Sequence, residues 1–198
     1  MNLFFLDHDL DKCAEYHIDK HVTKMVLEAA QLLTTTIWVD KYLGFVPRKL
    51  NSDELKVIKD AKRLEPTIEN RVFTRYLSTH ENHPSAIWVR SSLEHYYWAV
   101  NYANALNDEG MYRGYKSHAS CAEVNRMPEP TRLPDAGWTT PTLAMPDHLK
   151  SDDAVASYRM FYMLDKAPFA SWKGRDKPYW WDESIVAQQE KGTRVSGR

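Results

Sequence analysis

Two cysteines among 198 residues, Cys13 and Cys121, supply neither a disulfide framework nor the close spacing of a thiolate metal site. Free thiols in a reducing cytoplasm are therefore expected. No stretch approaches the roughly 18 consecutive apolar residues of a membrane span, and the opening MNLFFLDHDLDKC meets Asp7 after six positions, against the pattern of a leader. Net charge is nearly absent as well. With 26 Lys+Arg against 27 Asp+Glu, no global field draws the chain to a polyanion, so nucleic-acid binding would need a local patch. Internal repeats, low-complexity linkers, a parallel-sheet pattern and a Gly-rich phosphate loop are missing too, which excludes Rossmann and P-loop architectures.

What is present points to one mainly α-helical domain over 1–198, with 182–198 as a candidate flexible tail. The 43% hydrophobic and 12% aromatic content can fill one substantial core. Residues 2–6 (NLFFL) read as a short strand or extended lead-in. Residues 12–38 contain no Gly or Pro and predict one long helix, with Asp9 or Asp11 as N-cap. Residues 52–64 predict another, capped by Ser52, with Leu55, Ile58, Ala61 and Leu64 at helical spacing and Pro66 beyond its end. A shorter helix is expected at 68–78. The span 84–108 predicts a central helix with Pro84 in its first turn. Five of the ten prolines fall in 126–148, which should be an ordered loop wrapping the domain. Ser151 then caps a final helix, DDAVASYRMFYMLDK.

The chemistry gathers in AEYHIDKHVTKMVLEAAQLL. On one continuous helix His17, Lys20, His21, Lys24, Glu28 and Gln31 share an arc of about 100°, beside the apolar arc of Ile18, Val22, Met25, Val26, Ala29 and Leu33. Clustered cations at the edge of an apolar face lower one another's proton affinity, which suits a lysine nucleophile or base. The plainer alternative is a set of half-buried polar residues with Lys24 and Glu28 paired at i, i+4. A His-x-x-x-His pair can also chelate a metal, with His80, His83, Asp7, Asp9 or Glu28 completing the site. The absence of a HExxH pattern and the flanking lysines oppose this, and neither metal nor cofactor is expected.

A second cluster, THENHPSAIWVR, places His80, Asn82 and His83 before a helix start and Arg90 after it, a pattern that suits an anion or plain capping by Asn82 and His83. The third is SWKGRDKPYWW, where Lys173, Arg175 and Lys177 alternate with aromatics. It suits phosphates and unstacked bases, or a segment docking its rings on the core while its charges stay in water.

The opening MNLFFLDHDLDKCAEYHIDKHVTKMVLEAAQLL, with ENHPSAIWVRSSLEHYYWAVNYANAL and the late aromatic-basic segment, resembles a family of small phage and bacterial proteins distantly similar to pyrimidine-dimer DNA glycosylases of the phage endonuclease V type. The resemblance covers three blocks, some 80 residues. It implies a compact all-helical domain whose extended N-terminus lies beside the site, and an enzyme that excises a damaged base and cleaves the backbone by β-elimination. It also implies a DNA or nucleotide partner, and the host cytoplasm if phage-encoded. That glycosylase family uses the α-amine exposed when the initiator Met is removed, whereas Asn2 is large enough to disfavour removal. A gapless alignment sets Lys24 near the family's catalytic Glu and Thr23 near one of its arginines. The resulting assignment has Lys20 or Lys24 as the amine, Glu28 as the carboxylate, His17 and His21 in proton transfer or phosphate contact, and His83 and Arg90 as phosphate contacts. A base-modifying transferase, a metal-dependent enzyme using His17 and His21, and a non-enzymatic interaction protein are the alternatives.

Overall fold

The computed structural model describes residues 1–64 and 74–187, and among these the chain is all-α, with helices and turns and no strand. The lead-in at 2–6 is extended but unpaired, and Leu3, Phe4, Phe5 and Leu6 are all buried in the main core. Two helices dominate the packing: α2 (Asp19–Leu43) and α5 (Leu93–Tyr112) lie against each other. Gly110 permits their close approach, since a Cβ there would stand 3.3 Å from Val22 Cγ1. Around this pair sit α1 (Leu10–Tyr16), α3 (Ser52–Leu64), α4 (Pro84–Val89), α6 (Ala119–Val124) and α7 (Ala154–Phe161). A π-helical turn (Tyr162–Lys166) and a 3₁₀ turn (Ala167–Phe169) follow α7. No helix among the described residues is long and apolar enough to cross a membrane.

Each of the two long predicted helices is broken by a buried arginine. The first ends at Tyr16 and restarts at Asp19, with His17 and Ile18 extended between them. Arg113, at the C-cap of α5 and with a fully buried side chain, donates to the Glu15 carbonyl (2.8 Å) closing α1 and to the Asp19 carboxylate (2.9 Å) opening α2. The second breaks at Arg90 to Ser92. There the Arg90 guanidinium donates to the carbonyls of Val46 (2.7 Å), Glu81 (2.6 Å) and Arg48 (2.5 Å), and Ser92 caps α5. Three hydrogen bonds from one buried cation outweigh the two or three intrahelical bonds that each break forgoes.

The caps shift by one or two residues from those predicted. Asn51 rather than Ser52 caps α3, in a reciprocal box in which Glu54 N–H donates to Asn51 Oδ1 (2.9 Å) and Asn51 N–H to Glu54 Oε2 (2.8 Å). Asp153 rather than Ser151 caps α7. The helix expected at 68–78 falls largely outside the described residues, and 74–78 is not helical. Pro66 and 188–198, most of the candidate flexible tail, also lie outside them, while 183–187 are helical. The Pro-rich segment is pinned as a wrapping loop. Thr131 and Arg132 donate their N–H groups to Asp40 (both 2.9 Å), and the Pro134 carbonyl accepts from Leu93 N–H (2.9 Å).

Candidate functional site

The extended lead-in crosses the N-terminal half of α2 and creates a pocket of about 210 Å³ lined by Met1, Asn2, Phe4, His21, Lys24, Glu28, Phe161 and Lys166. Glu28 organises it. Its Oε2 accepts the Asn2 N–H (2.8 Å) and lies 4.0 Å from the Met1 α-amine, while Oε1 is 3.1 Å from Lys24 Nζ. Asn2 is fixed from the other side, donating to the Ala144 carbonyl (2.9 Å) and facing the Tyr158 hydroxyl (3.0 Å). One half-buried carboxylate thus gathers two amines, one from the lead-in and one from its own helix. Lys166 arrives from the turn after α7, over the Phe161 ring (4.7 Å) and paired with Asp165.

His21 forms the pocket's inner wall. It is 5% exposed, stacked on Phe4 at 4.7 Å, with Nδ1 2.7 Å from the Tyr162 hydroxyl. Burial pushes its pKa down to about 3, and the charges of His17, Lys166, Lys24 and Lys20 act in the same sense. Lys20 itself is solvent-exposed over the Phe169 ring at 4.8 Å, outside the pocket lining.

His17 is not part of this pocket. The break after Tyr16 turns it into the core, fully buried, with Nδ1 2.6 Å from the Cys13 carbonyl and Nε2 2.8 Å from the Tyr102 hydroxyl. Because the Cys13 carbonyl can only accept, neutral His17 carries its proton on Nδ1 and its Nε2 accepts the Tyr102 hydroxyl proton. Burial lowers the His17 pKa to about 3. Both ring nitrogens are used internally. The shared stripe of the sequence reading is therefore split: Lys24, Glu28 and His21 meet, whereas His17 is structural. Among the described residues no three His, Cys, Asp or Glu side chains converge as a metal site.

In the second cluster only His83 faces the pocket's charges. It caps α4 through Nδ1, accepting the Ser85 N–H at 3.1 Å. Its pKa is lowered by burial, then by the nearby α-amine and His80, with Glu28 opposing. Asn82 is engaged by the backbone of Leu50, at 2.6 Å to N and 2.9 Å to O. His80 is exposed, at φ 54, and bonded to the Thr79 hydroxyl (2.7 Å). Arg90 is corrected from phosphate contact to structural clamp. It is 1% exposed and its three carbonyls leave no face for a ligand, while burial lowers its pKa to about 10.

The tail cations are likewise committed. Arg175 lies over Tyr112 (3.8 Å) and donates to Glu109 (2.8 and 3.1 Å). Lys173 gives its N–H to Asp19 (3.0 Å) and its ammonium to the Tyr115 ring (5.3 Å), and Lys177 pairs with Glu183. Trp172 is buried and donates to the Tyr16 carbonyl (3.0 Å). Docking of this segment is what the structure displays.

Sequence reasoning missed Lys166 and Tyr162, and set the α-amine aside because Asn2 disfavours removal of the initiator Met. Lys166 follows a helix with no motif around it, but the apolar NLFFL beside an acidic run does signal a lead-in buried against the core. No protein-family model, curated protein or solved structure matches the chain.

Proposed function

We propose that this pocket carries out glycosylase/lyase-type chemistry on DNA, with an amine held by Glu28 as the nucleophile. The observation that supports this reading is the single carboxylate shared by the Met1 α-amine and Lys24. The chemistry needs an amine to attack C1′ of a nucleotide as the C1′–base bond breaks and the base leaves with a proton. A carboxylate beside the amine accepts its proton and stabilises the positive charge developing on the sugar. The sugar ring then opens at C1′–O4′, O4′ taking the proton that the carboxylate had accepted, and the resulting imine permits loss of a proton from C2′ and departure of the 3′ phosphate, after which water releases the sugar fragment from the amine. The resemblance to endonuclease V-type glycosylases supports the same reading.

The test is borohydride trapping on duplexes carrying an abasic site or a modified base, followed by peptide mapping. Reduction should give a covalent adduct on Met1 or Lys24. Absence of adduct across the panel would refute the lyase reading and leave base modification without strand cleavage as its successor.

A further inference from the structure

The two histidines at the start of α2 meet tyrosines through opposite ring nitrogens, Nε2 of His17 with Tyr102 and Nδ1 of His21 with Tyr162 (2.7 Å). With the Tyr162 proton given to Nδ1, neutral His21 carries its own on Nε2. The ring lines the pocket, and Nε2, without a partner among the described residues, is reached from the pocket's opening rather than sealed in the core. A donor in that position is free to bind a ligand.

The surrounding charge says which ligand. Lys24, Lys166 and the α-amine line the same pocket, against the carboxylate of Glu28 inside it and Asp165 at Lys166. Each ammonium has three N–H donors, so pairing with one carboxylate leaves two to spare. The donors come from two directions, α2 on one side and the turn after α7 on the other. A group with several oxygens around one centre meets them better than a planar carboxylate does.

We propose that the pocket seats one phosphate group, received by Nε2–H of His21 and by the ammonium groups of Lys166 and Lys24. Because the histidine donates while neutral, the seat keeps this donor across the physiological range, and its charge comes from lysines alone. The seat shares the pocket of the proposed reaction but not its chemistry: it requires no imine. The phosphate belongs either to a free nucleotide or to a DNA strand.

The test uses the ¹⁵N-labelled protein and long-range ¹H–¹⁵N spectra of the imidazoles, which distinguish tautomers directly. His21, assigned by comparison with His21→Gln, should show the Nε2–H form. Its signal should move saturably on titration with inorganic phosphate, a deoxynucleoside 5′-monophosphate or duplex DNA, and not with acetate. Lys166→Gln should weaken that binding by about tenfold or more. Movement with any of the three phosphate carriers supports the seat and identifies its source. An Nδ1–H tautomer, no movement with all three, or equal affinity in Lys166→Gln overturns it. If His21→Gln fails to fold, the tautomer can still be assigned in the wild type through the Phe4 ring contact. Failure of borohydride trapping alongside saturable phosphate binding would remove the lyase reading and leave the seat standing.

Discussion

The pocket beneath the N-terminus and the basic-aromatic tail are both cationic and aromatic, yet they use charge in opposite ways. In the tail, Arg175 and Arg113 converge on Glu109, with side-chain exposures of 26%, 0% and 5%. Every cation there has a carboxylate or a ring as partner. In the pocket, amines outnumber carboxylates and the Nε2 edge of His21 has no partner among the described residues. A basic motif in sequence therefore says little until it is known which acids the fold brings to it. Arg175 and Lys24 look equivalent in sequence and each lines a pocket, but the pocket at Arg175 is bordered by Asp11, Glu15, Asp108 and Glu109, whereas the one at Lys24 holds a single carboxylate, Glu28.

The largest expected effect separates the two carboxylates. Glu109→Ala strands the buried Arg113 and half-buried Arg175, and breaking such a cluster costs about 3–5 kcal/mol. Melting should fall by roughly 10 °C or more. Glu28→Gln keeps an acceptor for the Asn2 N–H, so melting should stay close to wild type. Adduct formation should nevertheless drop at least about a hundredfold, equivalent to about 2.7 kcal/mol at the transition state. A stable Glu109→Ala, or a Glu28→Gln variant that forms adduct normally, would erase the distinction between a structural and a functional carboxylate.

Acid should reveal the cost of the two buried imidazoles. Burial holds His17 and His21 at about 3, against an ordinary 6.5, so the unfolded chain binds protons that the folded one refuses. Their contribution is complete above pH 6.5 and is lost as pH falls from there towards 3, at about 1.4 kcal/mol per unit for each histidine. Glu109 acts in a lower window. Burial opposes its ionisation, but the bonds from Arg175 and Arg113 outweigh this and depress its pKa, so its share is lost only below the ordinary carboxylate range. The slope of stability against pH between about 4 and 6 should correspond to two protons or more, since burial lowers His83, His95 and His118 in the same sense, and to one fewer in His17→Gln. An unchanged slope in that variant would mean that His17 is charged in the fold.

The sequence displays the helical class, the wrapping loop and the apolar face of α2, because these depend on local periodicity and on proline chemistry. It hides the two breaks. Neither His17–Ile18 nor Arg90–Ser91 carries a Gly or Pro, and the cause lies with arginines whose acceptors are remote in sequence: Glu15 and Asp19 for Arg113, Val46 and Arg48 for Arg90. Only the Ser91–Ser92 pair offered a local hint. The same hidden break removes His17 from the stripe and turns it into the core. Within the site, Lys24 and Glu28 were legible from their i, i+4 spacing, whereas the α-amine and Lys166 arrive through tertiary contacts that no motif records.

The smallest effect is the sharpest check on the comparison, because it sets two tail lysines against two pocket lysines in one measurement. A lysine that contacts a phosphate releases a condensed counterion, contributing a slope of about 0.9 in log K against log salt on duplex DNA. Lys173 and Lys177 are already placed on Tyr115 and Glu183, and Arg175 on Glu109. Neutralising Lys173 and Lys177 together should therefore alter the salt slope of DNA binding by less than one such step, while Lys24→Gln with Lys166→Gln should lower it by more than one. Arg175→Gln should chiefly reduce stability, since it takes a partner from buried Glu109. If instead the tail pair carries the larger slope change, the ion pairs at Lys177 and the ring contact at Lys173 open when DNA arrives, and the basic-aromatic segment is a nucleic-acid surface after all.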